Sequence, residues 1–386
     1  MSMLLAGGAS TQSRGRRPLP PGAVRGTTLA TRGIREIVRF DFEDGHHEQR
    51  ELLSWLGGQA GLLFGASSPD ITDLTYLRET HGSYGHAAEY ELAGVLGEVF
   101  DGYLTSSDMA CRFFQSGGEA CAAAVRIARA ATGRDVIATF GYHGAGQEFV
   151  HPPLNKGYAA ASTALHNRFE FGDRDDMIQK VRGSSLIMVE VPALDDEQAI
   201  ASFLMSCRLT ADDLGIPFVV DDVVCGFRLA LAGSCERYGV KADMVILGKA
   251  MSVTGCVSAV IGCADLVNRL GEDVFYSTTF GGSPGPCSVA AATVRWLLNH
   301  HAEVYGAAGH LQTIGRALKD GLNERGVKCI GQPERSIVVF DTDEQWLAWC
   351  SKMIEQGVII HRPNFPTMAH TLDNVEQTLR AVEAIR

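Results

Sequence analysis

The middle of this 386-residue chain alternates short apolar runs with helical patterns, and that alternation restricts the fold more than any other feature. Runs at Ala110–Phe114, Asp135–Phe140, Leu186–Val191, Phe218–Asp222 and Met244–Leu247 read as strands, with a further short one near Ala259–Gly262. Between them, His86–Phe100, Gly118–Thr132, Gln198–Leu214 and Pro286–Asn299 carry the spacing of helices. Strands that alternate with helices assemble a mostly parallel sheet. Continuous apolar runs such as "SLIMVEV" suit strands covered on both faces. The C-terminal part reads differently: a long amphipathic helix near Ala302–Arg325, a strand "SIVVFD", a helix "EQWLAWCSKMIEQG" and a last helix from Asp373. The expected organisation is an N-terminal segment (1–50), a large α/β domain (51–295) and a small α+β C-terminal domain (296–386).

Composition narrows the classes of function. A net charge of −11 argues against nucleic acid or an anionic membrane as partner. No stretch approaches the roughly 18 uninterrupted apolar residues of a membrane span. The ten cysteines include no CxxC pair and no zinc-like Cys/His spacing, so free thiols in a reducing, cytoplasmic compartment and no metal site are expected. The glycine-rich Leu4–Arg14 resembles a nucleotidyltransferase loop but lacks the strand before it that such a loop needs. A loose first dozen residues is expected instead.

Open α/β sheets bind ligands at the carboxyl ends of their strands, so the residues just after each strand are the ones to inspect. After "CRFF", Ser116, Gly117 and Gly118 precede a strong helix; free N–H groups and the dipole at a helix start favour phosphate. After "IPFVV" come Asp221 and Asp222, carboxylates able to bind a cation, act as a base or cap a helix. After "DMVIL" come Gly248 and Lys249. Alone, each has an ordinary structural explanation. Together, an anion nest, a carboxylate and a lysine match a cofactor bearing a phosphate, a ring nitrogen and an aldehyde, which is pyridoxal phosphate (PLP).

Longer stretches agree. "RFFQSGGEACAAAVRIARAATGRDVIATFGYHG", "FVVDDVVCGFRLALAGSCERYGVKADMVILGKAM" and "STTFGGSPGPCSVAAA" resemble the motifs of the class III PLP-dependent aminotransferases, and among these the glutamate-1-semialdehyde 2,1-aminomutases most closely. The resemblance covers nearly the whole chain. It implies PLP fold type I (aspartate aminotransferase-like), with Lys249 as the Schiff-base lysine and Asp221 holding the pyridine nitrogen protonated. It further implies that Val223 packs on the ring opposite a stacking Tyr142, with His143 beside it. Ser116, Gly117 and Gly118 would cradle the phosphate, Glu190 would play a polar role, and Thr279 would supply a hydroxyl across the interface of a homodimer.

The substrate-facing stretches depart from the family: its "EPVAGN" is "EVPALDD" here, and the run after the lysine is "SVTGCVSA". Candidate substrate residues are Arg25, Trp55 and Arg362, the arginines because a guanidinium pairs bidentately with carboxylate. The expected activity is amino-group transfer, by an aminotransferase or aminomutase, on a small amine or amino-acid substrate. Decarboxylation or racemisation on the same fold, or a non-catalytic binding protein, are the alternatives.

Overall fold

The computed structural model describes residues 18–56, 61–65, 87–146, 148–150, 156–253 and 256–386. Leu4–Arg14 and the first dozen residues expected to be loose lie outside the described residues. The chain divides into two compact units, one over Met1–Gly57, Phe64–Ser67 and Thr313–Arg386, the other over Gly58–Leu63 and Ser68–Gln312.

The first unit opens with three antiparallel strands that the sequence did not signal: β1 (Ala23–Arg32), β2 (Arg35–Phe42) and β3 (His47–Ser54). Only one face of β2 is buried, through Glu36, Val38 and Phe40. The buried Glu36 carboxylate accepts hydrogen bonds from Ser54 Oγ (2.7 Å) and Thr28 Oγ1 (3.0 Å), so it stays paired although enclosed.

The second unit is built on a seven-stranded sheet. Its strands are β4 (Met109–Phe114), β5 (Ile137–Phe140), β6 (His166–Arg168), β7 (Ile187–Glu190), β8 (Phe218–Asp221), β9 (Met244–Leu247) and β10 (Ser258–Cys263). Their order across the sheet is β4-β10-β9-β8-β7-β5-β6, and only β10 runs antiparallel to its neighbours. Six of these strands lie within two residues of their expected bounds; the three-residue edge strand β6 was not expected from the sequence. The central strands are buried from end to end, as parallel strands covered by helices on both faces must be.

The helix Gly117–Thr132 lies against this sheet through small residues (Ala120, Ala123, Ala124 and Ala128, with Ile127), and these form one core with Met188, Val219, Ile246 and Val260. Its start is fixed by Ser116, whose hydroxyl accepts the Glu119 N–H at 3.3 Å, and its end by Gly133 in the left-handed region at φ 67°.

The expected long helix over Ala302–Arg325 is instead broken. A short turn of helix, His301–Val304, is followed by an interruption, and the helix proper is His310–Glu324. The interruption is "YGAAG": Gly306 has φ 82°, and a Cβ on Gly309 would lie 2.4 Å from the Tyr305 carbonyl. Amphipathic spacing continues across the break, which is why the sequence reads as one helix.

The C-terminal residues return to the first unit. Strands β11 (Cys329–Ile330), β12 (Ser336–Val338) and β14 (Pro363–Asn364) form a small antiparallel sheet, while β13 (Val358–Ile359) pairs in parallel with β3. The N-terminal segment expected to stand apart therefore shares a sheet and a core with the C-terminal residues. Leu53 and Trp55 pack with Leu318, Met353, Val358 and Val382. The division falls near residues 57 and 312.

Candidate active site

The expected residues Ser116, Tyr142, His143, Glu190, Asp221, Val223 and Lys249 lie at or just beyond one end of the second unit's sheet. Strands β7, β8 and β9 are adjacent and parallel; Glu190 is the register partner of Asp221, and Asp221 of Ile246, three residues before Lys249. Neighbouring β5 ends at Phe140, just before Tyr142 and His143. At the far side, β4 ends at Phe114, ahead of Ser116, and pairs there with Ser258 of β10.

Asp221 is 3% exposed and carries three hydrogen bonds. Its Oδ1 accepts the Val223 N–H at 3.1 Å; its Oδ2 lies 2.7 Å from His143 Nδ1 and accepts from Cys121 Sγ at 3.5 Å. His143 is buried too, and its Nε2 sits 3.0 Å from the Phe140 carbonyl. His143 thus bridges the Asp221 carboxylate and the Phe140 carbonyl, and the two contacts together fix its ring.

Asp222, adjacent in sequence, does something else. It is fully buried and its carboxylate accepts both the N–H (2.7 Å) and the hydroxyl of Ser234 at the start of the helix Gly233–Tyr238. Of the two neighbouring acids, the first belongs to the site and the second anchors the chain behind it.

Around this pair the backbone is crowded. A Cβ on Gly117 would lie 2.8 and 2.9 Å from the methyls of Val223, and one on Gly248 would lie 2.8 Å from Ser258 Oγ. Glycine at 117 lets the helix start approach Val223 this closely. Lys249 has φ 45°, one of two non-glycine residues with positive φ among the described residues; the other is Phe227. Such a backbone is strained by about 1–3 kcal/mol, and strain of this kind gathers at functional sites.

Glu190 accepts the Tyr142 N–H at 3.0 Å, so it orients the turn after β5. The Tyr142 ring itself is exposed. Thr279 is exposed in the segment before the helix Pro284–Asn299, between the exposed Phe275 and Phe280.

The three substrate candidates belong to the first unit. Arg25 is exposed on β1, opposite Asp41. Arg362 donates to Asp343 and lies 5.0 Å over the Trp346 ring. Trp55, the third candidate, packs in the core of this unit. It is fully buried, stacked on His370 at 4.1 Å, with its Nε1 donating to Thr378 Oγ1 at 2.9 Å. Sequence reasoning had missed Cys121, because a cysteine in an alanine-rich helix gives no signal of what it faces.

The residues at this sheet end suit PLP in their chemistry: a helix start for the phosphate, a buried carboxylate for a cationic ring nitrogen, and a lysine after the adjacent strand. The fold and the donor set define a PLP-dependent protein of fold type I.

Comparison with known proteins points to the same class. Residues 195–369 match the family Aminotransferase class-III. The glutamate-1-semialdehyde 2,1-aminomutases of Chlorobium phaeobacteroides and Chlorobium limicola are 25% and 27% identical to the chain, each over 85% of both sequences. Among solved structures, an omega-transaminase from Sphaerobacter thermophilus superposes with a TM-score of 0.82 at 21% identity, covering 99% of this chain and 94% of its own. The FumI protein of Sphingopyxis sp. MTA144, solved in a PLP form, gives a TM-score of 0.78 at 24% identity over 95% and 89%. At these identities the structural likeness speaks for the fold.

Proposed function

We propose that the chain catalyses PLP-dependent amino-group transfer, as an aminotransferase or aminomutase acting on a small amine or amino acid, with Lys249 and Asp221 as its catalytic residues. The observation that carries this reading is Asp221: a buried, triply hydrogen-bonded carboxylate at the tip of β8, beside the strand that delivers Lys249. The class III match and the aminomutase relatives support it.

PLP, when bound, supplies an aldehyde that takes up an amine and a ring that stores the electron pair released from the substrate carbon. The residues of this chain supply the rest. Lys249 Nζ is the amine that would hold the cofactor, and the base that would carry a proton to and from the substrate carbon. Asp221, fixed by His143, keeps a proton on the ring nitrogen and so keeps the ring an electron acceptor. The Ser116–Gly118 backbone holds the phosphate at the helix start. Val223, whose methyls already close on Gly117, would offer an apolar surface to one ring face, and Tyr142 would stack on the other.

The chain works as a homodimer in this reading. Phe275 and Phe280 are 87% and 51% exposed on either side of Thr279. Large apolar side chains left in water beside a polar cofactor ligand suit a surface that a second copy covers. Arg25 and Arg362 remain the candidate clamps for a substrate carboxylate. No helix among the described residues is long and apolar enough to cross a membrane, and the free thiols agree with a cytoplasmic setting.

A panel of amino donors tests the activity. A true donor shifts the visible absorbance of the bound cofactor, and a keto or aldehyde acceptor restores it. Carbon dioxide release with no donor response would replace transfer by decarboxylation.

A further inference from the structure

One buried partner of Asp221 in the second unit has been given no role of its own so far. Cys121 lies one turn into the helix Gly117–Thr132, 1% exposed, with Sγ 3.5 Å from Asp221 Oδ2. Its other surroundings are the apolar core beneath the sheet end. Burial, together with the Asp221 carboxylate, pushes this thiol well above its ordinary range, so at neutral pH it keeps its hydrogen. A thiol so placed is a donor, and Asp221 Oδ2 is the acceptor beside it.

Resting on the PLP reading, we propose that Cys121 is a positioning residue for the cofactor ring: its S–H···Oδ2 hydrogen bond, with that of His143, fixes the Asp221 carboxylate and weakens it as a base. Oδ2 then carries two side-chain donors, while Oδ1 carries only the Val223 N–H and keeps capacity for a further one. The same bond ties the strand tip to the helix whose start would hold the phosphate, so the two ends of one ligand are registered against each other. Cys121, His143 and Asp221 also form the one group among the described residues with metal-ligand potential. The thiol and the imidazole each already hydrogen-bond Asp221 Oδ2, which makes the three a hydrogen-bond network centred on Asp221.

A hydrocarbon at position 121 leaves the carboxylate more negative, and more negative charge beside a titrating proton raises its pKa. The experiment is a pH titration of the visible absorbance of PLP-loaded wild type, Cys121→Val and Cys121→Ser. The valine variant keeps the volume and loses the donor; the serine variant keeps a donor. The midpoint is expected to rise by about half a unit to one unit in Cys121→Val and to stay near wild type in Cys121→Ser. Equal midpoints in all three proteins would overturn the proposal, as would an equal shift in valine and serine, which would assign the effect to packing.

A second readout does not need the cofactor. In PLP-free protein the ¹⁵N resonance of His143 Nδ1, which shares Oδ2 with the thiol, should move in Cys121→Val and be restored in Cys121→Ser; an unmoved resonance contradicts the shared hydrogen bond. Failure of the underlying reading looks different: wild type itself takes up no PLP and develops no visible absorbance.

Discussion

At the residue scale, adjacent side chains of the same type take opposite roles, and burial with hydrogen bonding decides which. Asp221 faces His143 and Cys121, whereas Asp222 is turned back to the helix at Ser234. The sequence "DD" showed that a carboxylate ends this strand; which of the two faces the site follows from strand alternation and from where each finds its donors. Lys249 was legible for a similar reason, as a charged residue after a buried apolar run. Cys121 was not, since only the fold shows that a helix residue a hundred positions earlier faces Asp221. Gly117 offers a test at this scale. In Gly117→Ala the new Cβ must displace the Val223 methyls at 2.8–2.9 Å. Overpacking of this kind costs about 1–3 kcal/mol, so the variant should melt earlier and lose PLP on dialysis more readily than wild type. Unchanged melting and retention would show that Val223 yields freely and that the contact is unimportant.

At the element scale, the sheet of the second unit was legible almost strand by strand, because buried parallel strands announce themselves as continuous apolar runs. The N-terminal strands were not. β1 is exposed along nearly its whole length, and the buried face of β2 includes Glu36, so neither shows a clean alternation of apolar and polar residues. Their place is set by partners far along the chain, through β13 and the core around Trp55. The helix Leu372–Ala384 contributes to that core through Thr378, which accepts the Trp55 indole N–H. Thr378→Val keeps the shape and removes the acceptor. A buried donor left unmet costs about 1–3 kcal/mol, which urea unfolding should detect; a midpoint equal to wild type would mean that Trp55 finds another partner.

At the scale of the whole molecule, burial of titratable groups sets how the protein responds to pH. Burial pushes the thiols of Cys287 and Cys350, one in each unit, up to about 12. In the unfolded chain a thiol titrates near its ordinary value of about 8.5. The folded value is raised, so the stabilisation is complete below the unfolded value and is lost as pH climbs toward the folded one. Each such thiol lowers stability by up to about 1.4 kcal/mol per pH unit across that window. The urea midpoint should therefore fall steadily between about pH 9 and pH 11, with a shallower slope in Cys287→Val and Cys350→Val; a flat profile in wild type would contradict the burial of these thiols. The central claim is that strand ends of one sheet bring Lys249 and Asp221 to a single PLP molecule. It is tested most directly by loading the protein with PLP, reducing with borohydride and mapping the added mass by peptide mass spectrometry. The reduced cofactor should be found on the peptide carrying Lys249, and Lys249→Ala should acquire none. Label on another lysine, or no label on a protein that is otherwise folded, would contradict the account.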